Sequence, residues 1–358
     1  MAPVVAVLRG RAWADVTLMS TGQHRELLDQ VLDAFALVPD VRLDVMQPNQ
    51  SLPELTARLI VAIDAYLRES PHDAVLAQGD TTTVLAAGLV AFYHRIPFGH
   101  VEAGMRTGDM LRPFPEEMNR VLASRLARWH FAATESCQQN LLREGIGARQ
   151  IFVTGNTVID ALHDAVRRIG PAAPAKGSGE RMVLVTMHRR ESFGDPMREA
   201  IRAIRTLADA REDVRFLFPV HPNPNVRALI QEGPGTHARI TLTDPLGYLD
   251  FVRAMRDSSL ILTDSGGVQE EAPALAKPVL VLREETERPE AVEQGVARLV
   301  GTDCDAIVAQ VNELLDDPTA YARMAIGRSP YGDGQASMRI ADVLERDLTR
   351  TRGSGGRP

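Results

Sequence analysis

The sequence predicts an α/β protein built from two doubly wound, parallel-sheet domains. Three observations predict it. Short runs rich in Val, Ile and Leu recur without polar alternation, as strands buried on both faces do. Amphipathic stretches of helical period separate them. One segment, PAAPAKGSGE at 171–180, carries Pro, Gly, Ala and Ser and divides the series in two.

In chain order the predicted strands are VTLM (16–19), DAVLA (73–77), PFGHV (97–101), IFVTG (151–155), MVLVT (182–186), VRFLFPV (214–220), LILT (260–263) and KPVLVL (277–282). Helical stretches include ELLDQVLDAFAL (26–37), LPELTARLIVAIDAYL (52–67) and MREAIRAIRTLADA (197–210). Alternating strand and helix implies right-handed crossovers onto a parallel sheet. The expected division is a first domain over 1–170, a linker over 171–180 and a second domain over 181–328. A late helix follows over 329–348 and returns to the first domain, and the tail 349–358 is expected to be disordered.

Composition narrows the function. The chain has 358 residues, with Lys+Arg 40 against Asp+Glu 47, and its net charge of -7 argues against a nucleic-acid partner. Cys137 and Cys304 match no zinc or redox spacing, which excludes a disulfide framework and points to a reducing cytoplasm. No run of about 18 apolar residues indicates a membrane span. There is no HExxH, no cysteine cluster and no calcium-loop spacing, so no metal is expected; the GxGxxG nicotinamide fingerprint is missing as well.

Ligands of open parallel sheets bind beyond the carboxyl ends of the strands. The unusual clusters of this chain lie there: QGDTTT (78–83), EAGMRTGD (102–109), MHRRESFG (187–194) and DSGGVQEE (264–271). In DSGGVQEE, Gly266 and Gly267 admit a ligand close to the backbone, Ser265 adds a hydroxyl, and the following helix N-terminus favours a phosphate. Glu271 lies one turn on, where a carboxylate can accept ribose hydroxyls. A plain glycine turn capped by Asp264 or Ser265 fits the same residues. His188, Arg189 and Arg190 suit phosphate, a reading favoured over a solvated cluster with Glu191 because they face the same sheet edge. His221 ends another strand in PVHPNPN and is either a ligand or a turn histidine.

Asp80, Glu102, Glu116 and Glu117 are the acid–base candidates. Asp80 also suits a helix N-cap, and Glu116 and Glu117 also suit the first turn of a helix. Nothing structural requires a carboxylate at Glu102. Carboxylates converging on one site split their pKa values, as general acid–base chemistry on a neutral sugar requires.

Together these stretches resemble the non-hydrolysing UDP-N-acetylglucosamine 2-epimerases of bacteria. The resemblance runs almost end to end through TGQHRELLDQVL, QGDTTTVLAAGLVAFYHRIPFGHVEAGMRTGD, PFPEEMNR, FVTGNTVIDAL, HRRESFG, PVHPNPNVR, ILTDSGGVQEEAP, KPVLVLREETERPEAV and PYGDGQAS. It implies two Rossmann-like domains with a cleft between them, the GT-B-like architecture of one glycosyltransferase class. It implies reversible C2 epimerisation of UDP-N-acetylglucosamine to UDP-N-acetylmannosamine without cofactor, in the cytoplasm, by a homodimer serving cell-envelope polysaccharide synthesis.

By the same resemblance, Asp80, Glu102 and Glu116 are the acid–base carboxylates. His188, Ser265, Gly266, Gly267, Glu271 and Arg288 contact the nucleotide and its phosphates, with His188 catalytic in stabilising the departing pyrophosphate. Phe251 lies on the uracil side, where Leu246 replaces a frequent Gln. Gln23, His24, Arg25 and Arg189 match the region that binds a second, regulatory UDP-N-acetylglucosamine. One departure is large: the usual first strand and Gly-Thr-Arg-Pro-Glu loop do not precede Met1-Ala2-Pro3. Residues 1–358 alone are therefore expected to be poorly soluble or nearly inactive. The alternatives are a glycosyltransferase of the same fold, or a nucleotide-sugar-binding protein without turnover.

Overall fold

The computed structural model describes residues 1–22, 25–47, 49–171, 180–189, 193–220 and 237–353, with the side chains of 25–28 and 351–353 left out. The chain divides into two compact units, Met1–Ala161 with Tyr331–Pro358, and Leu162–Pro330.

The first unit runs α1 (Ala2–Arg9), β1 (Met19–Ser20), α2 (Arg25–Ala34), β2 (Val41–Arg42), α3 (Leu52–Glu69), β3 (Val75–Gln78), α4 (Thr82–Tyr93), β4 (Phe98–Ala103), α5 (Glu116–Leu126), β5 (Trp129–Ala132), α6 (Glu135–Arg143) and β6 (Ile151–Val153). Helix α7 (Thr157–Ile169) begins in it. Strands β3-β4-β5-β6 form one parallel sheet, and β1-β2 form a separate parallel pair. The predicted strand at 16–19 shrinks to β1 because only Met19 and Ser20 find partners, in Val41 and Arg42.

Local chemistry sets the helix starts. Ser51 and Glu54 form a reciprocal capping box at α3. The Thr134 hydroxyl accepts from the Cys137 N–H at α6. One core joins Trp129 and Phe131 of β5 to Val4 and Leu8 of α1 and to Ile340 and Leu344 of the last helix, α14 (Ala336–Gly353). The disordered tail expected from 349 is thus corrected: α14 continues to Gly353, and 354–358 lie outside the described residues.

In the second unit come β7 (Arg181–Thr186), α8 (Asp195–Ala210), β8 (Val214–Pro219), β9 (Ile240–Thr243), α9 (Tyr248–Asp257), β10 (Leu260–Thr263), α10 (Gly266–Glu271), β11 (Val279–Val281), α11 (Pro289–Glu293), β12 (Ala297–Leu299), α12 (Cys304–Asp316) and α13 (Pro318–Met324). The parallel sheet has the order β12-β11-β10-β7-β8-β9. Its switch point lies between β7 and β10, because the chain builds outward from those two strands in opposite directions. Met197, Ile201, Ile204 and Leu207 of α8 recur at helical spacing and are buried against the sheet. Among the described residues no helix is long and apolar enough to cross a membrane.

Candidate functional site

In the first unit, register brings the carboxylates to one sheet edge. Gln78, the last residue of β3, pairs with Val101 of β4, so the loops holding Asp80 and Glu102 leave neighbouring strands at the same level. The strand register then shifts between Val101 and Ala103, and Glu102 takes a left-handed φ of 64°. A non-glycine residue in that region costs about 1–3 kcal/mol and is typical of functional sites. The bulge turns the Glu102 carboxylate toward Gln78, whose Nε2 donates to Oε2 at 3.2 Å. Gln78 Oε1 in turn accepts from the Met1 amine at 2.5 Å and from the Thr157 hydroxyl at 3.3 Å.

Asp80 is not the cap of α4. Thr81 occupies that position, and Asp80 Oδ2 instead accepts from Arg120 Nη2 at 2.7 Å. Asn119 Nδ2 donates to the Asp80 carbonyl at 2.9 Å, so two successive residues of α5 grip one carboxylate residue. Arg120 also lies 3.3 Å from Glu117 Oε2, and its side chain is only 7% exposed, so its charge is held in a dry setting. The other Glu117 oxygen accepts from the backbone N–H of Thr107 and Gly108, at 3.0 and 3.2 Å, which ties the loop after β4 to α5. Glu116 opens α5, and its Oε2 is buried with no hydrogen-bond partner among the described residues. Orphaned acceptors of that kind are rare and mark a strained or catalytic group.

Under this edge lies His100, wholly buried, with Nε2 2.7 Å from the Gly79 carbonyl. Burial pushes the ring down to about 4, so it is neutral at physiological pH. A neutral ring with its proton on Nε2 donates to Gly79 and fixes the turn that carries Asp80.

In the second unit, Thr186 and Thr263 end β7 and β10 as register partners, and their hydroxyls meet at 2.6 Å. The segments leaving both strands therefore emerge side by side at the switch point. Asp264 links them. Its Oδ2 accepts from the backbone N–H of His188 and of Arg189, each at 2.9 Å, and its Oδ1 is 3.1 Å from His188 Nδ1. Burial pushes the Asp264 carboxyl up, but the His188 ring and these N–H groups outweigh it and hold it below the usual range. The Nδ1 side of a partly exposed ring is thereby turned toward Asp264.

Ser265 precedes α10 and makes no side-chain cap bond to it. A Cβ at Gly266 would lie 3.4 Å from Arg189 Nη2 and 4.0 Å from Arg288 Cζ, so two guanidinium groups converge over this turn. Each is tethered by a carboxylate: Arg189 Nη1 donates to Glu287 at 3.1 Å, and Arg288 Nε donates to the buried Glu270. Arg283 pairs with Glu287 at 2.8 Å as well. The result is an arginine pair fixed above a small-residue turn, which suits the bidentate geometry of phosphate oxygens. One turn along α10, Glu271 is buried and accepts from the Tyr248 hydroxyl at 2.9 Å. Burial raises its carboxyl to about 7 against the pull of Tyr248.

Asp80, Glu102 and Glu116 thus lie in the first unit, and His188, Ser265, Gly266, Gly267, Glu271 and Arg288 lie in the second. Phe251 lies on α9, one turn after Tyr248. Gln23, His24, Arg190 and His221 lie outside the described residues, and Arg25 is the first residue of α2 without a described side chain. Sequence reasoning missed Gln78, Arg120, Tyr248, Glu270 and Glu287 altogether, and weighed Asp264 only as a cap.

Residues 6–345 match the family described as UDP-N-acetylglucosamine 2-epimerase. The chain is 49% identical over 357 residues to the UDP-N-acetylglucosamine 2-epimerase of Escherichia coli (strain K12), covering 97% of this chain and 95% of that one. It superposes with a TM-score of 0.88 on the UDP-GlcNAc 2-epimerase of Neisseria meningitidis bound to UDP-GlcNAc, at 44% identity, covering 97% of this chain and 96% of that one. The glycosyltransferase SnogD of Streptomyces nogalater shares the fold alone, at 16% identity and a TM-score of 0.60, over 97% of this chain and 94% of that one.

Proposed function

From the premise that this chain belongs to the UDP-N-acetylglucosamine 2-epimerase family, we propose that it interconverts UDP-N-acetylglucosamine and UDP-N-acetylmannosamine by elimination and re-addition of UDP. The observation that carries the proposal is the pairing of two chemistries: a first unit rich in poised carboxylates and a second with arginines fixed over a glycine turn. The C1–O bond breaks and its electron pair leaves with UDP. The C2 proton passes to a carboxylate, and its bonding pair forms the C1–C2 double bond of 2-acetamidoglucal. UDP then adds back at C1 while a proton is delivered to the opposite face of C2.

The C2–H is poorly acidic, so departure of UDP runs ahead of proton loss. Arg288, the His188 ring and the N–H groups of the glycine-turn helix stabilise the charge that grows on the diphosphate, the point at which fixed cations and dipoles lower a barrier most. Asp80, Glu102 and Glu116 supply the base and the acid. Two opposed protonation faces need at least two such groups. Ser265, Gly266 and Gly267 line the diphosphate, Glu271 accepts from the ribose, and Phe251 flanks the uracil.

The test is the reaction in deuterium oxide with no acceptor sugar. UDP-N-acetylmannosamine should form carrying one deuterium at C2. Product without deuterium refutes the elimination route. A requirement for an acceptor sugar would favour a glycosyltransferase instead.

Two finer features belong to the same proposal. A second UDP-N-acetylglucosamine regulates the enzyme through Gln23, His24, Arg25 and Arg189, on the strength of the TGQHRELL resemblance; a sigmoidal rate curve that becomes hyperbolic in Gln23→Ala tests it. The enzyme is a cytoplasmic homodimer. Phe92 and Tyr93 of α4 and Leu122 of α5 are exposed large hydrophobic residues of the first unit, which supports self-association there. A Phe92→Glu variant that sediments as wild type would remove that face from consideration.

A further inference from the structure

We propose that Tyr248 is a positioning residue for the nucleotide: its hydroxyl holds Oε1 of Glu271 in one orientation, so that Oε2 accepts from the vicinal hydroxyls of the ribose. This rests on the assignment of Glu271 to the ribose made above. It adds a residue that touches no substrate itself and makes recognition of the diol depend on the charge of one buried carboxylate.

The geometry supports it from both sides. Tyr248 is the first residue of α9, and Gly247 before it is extended, so the ring is set by the start of a helix rather than by a loop. Glu271 is the last residue of α10 and only 6% exposed. The 2.9 Å bond between them joins residues 23 positions apart, from two separate helices. A phenol donates and an ionised carboxylate accepts, so the bond favours the charged form.

Among the described residues, burial opposes ionisation of Glu271 most strongly, the Tyr248 hydroxyl from α9 favours it, and Glu270 on its own helix opposes it. Burial, then Glu271 and Asp164 on α7, keep the Tyr248 phenol protonated. Arg288 is engaged by Glu270. The carboxyl is therefore held near the middle of its titration at about pH 7. The sign follows: Glu271 loses its charge as pH falls through that value, and the ribose loses an acceptor. Without the tyrosine hydroxyl the midpoint moves to higher pH.

The experiment compares UDP with 2′-deoxy-UDP by calorimetry from pH 6 to 8.5, in wild type, Tyr248→Phe and Glu271→Gln. In wild type, the preference for UDP should grow as pH rises through about 7. Tyr248→Phe should lower that preference roughly fivefold at pH 7 and restore most of it at pH 8.5, the change in ionised fraction produced by raising the midpoint from about 7 by about one pH unit. Glu271→Gln should discriminate weakly at every pH. If Glu271→Gln keeps the full preference for UDP, the ribose assignment itself fails. If Glu271→Gln loses it while Tyr248→Phe behaves as wild type, the assignment stands and the role of Tyr248 is refuted. A variant that merely loosens the fold would weaken both nucleotides equally at all pH values, which also overturns the proposal. The wild-type arm needs no substitution: a preference independent of pH refutes it as well.

Discussion

Arg288→Ala tests the diphosphate assignment and the electrostatics of the second unit at once. Arg288 and Glu270 are 13% and 3% exposed in their side chains, and Arg288 Nε donates directly to the glutamate. Removing one partner of a buried pair typically costs about 3–5 kcal/mol, because the remaining charge stays in a poor solvent. Loss of a charged hydrogen bond to the diphosphate costs about 1.5–3 kcal/mol of binding. The variant should therefore show two separable losses, one in stability and one in UDP affinity.

The separation uses a second substitution. Glu270→Gln removes the stranded charge, so Arg288→Ala should be far less destabilising in that background than in wild type. The affinity loss should persist, because the cation over the Gly266 turn is still missing. Urea unfolding gives the stability cycle and calorimetry gives the UDP cycle. Arg288→Ala with unchanged UDP affinity would remove the arginine from the site. Equal destabilisation in both backgrounds would refute the stranded-charge argument.

Further outcomes follow from the first unit. Asp80→Asn, Glu102→Gln and Glu116→Gln should each lower kcat by about two decades or more while UDP still binds, as calorimetry and rate measurements can establish; normal turnover would make that carboxylate structural. His100 should make the fold acid-sensitive: it is neutral in the folded state down to about pH 4 but protonates near 6.5 once unfolded. Its contribution is intact above 6.5 and is lost as pH falls toward 4, by about 2 kcal/mol at pH 5. His100→Gln should flatten that part of the urea-midpoint profile. Glu102→Gly and Glu102→Ala should both be inactive, but the glycine variant should be more stable by about 1 kcal/mol, since only glycine adopts the left-handed φ of 64° without penalty; equal stability would show the bulge to be unstrained.

The large features were legible in the sequence because they are written locally. Continuous apolar runs mark β7, β8 and β10, and α8 repeats its buried residues at helical spacing. The strand ends were legible too, and with them Asp80, Glu102, His188 and the glycine turn. Strand edges were less so: VTLM is as apolar as LILT, yet only two residues of β1 find a ladder partner. Apolar character reports burial, whereas a strand also needs a neighbour in register.

The supporting shell was illegible for a related reason. Arg120 lies 40 residues from Asp80, and His188 lies 76 from Asp264. Nothing local in PEEMNR says that its arginine reaches back to the loop after β3, and Asp264 before a helix looks like an ordinary cap. Strand register places the loops concerned, Gln78 against Val101 in one sheet and Thr186 against Thr263 in the other, and α5 brings Arg120 to the first of them. The residues missed are accordingly those whose chemistry is exerted on another side chain: Gln78 on Glu102, Arg120 on Asp80, Glu270 on Arg288 and Tyr248 on Glu271. The candidate groups announce themselves at strand ends because a charged residue there needs a reason. The residues that aim them need only be within reach, and reach is a property of the folded sheet.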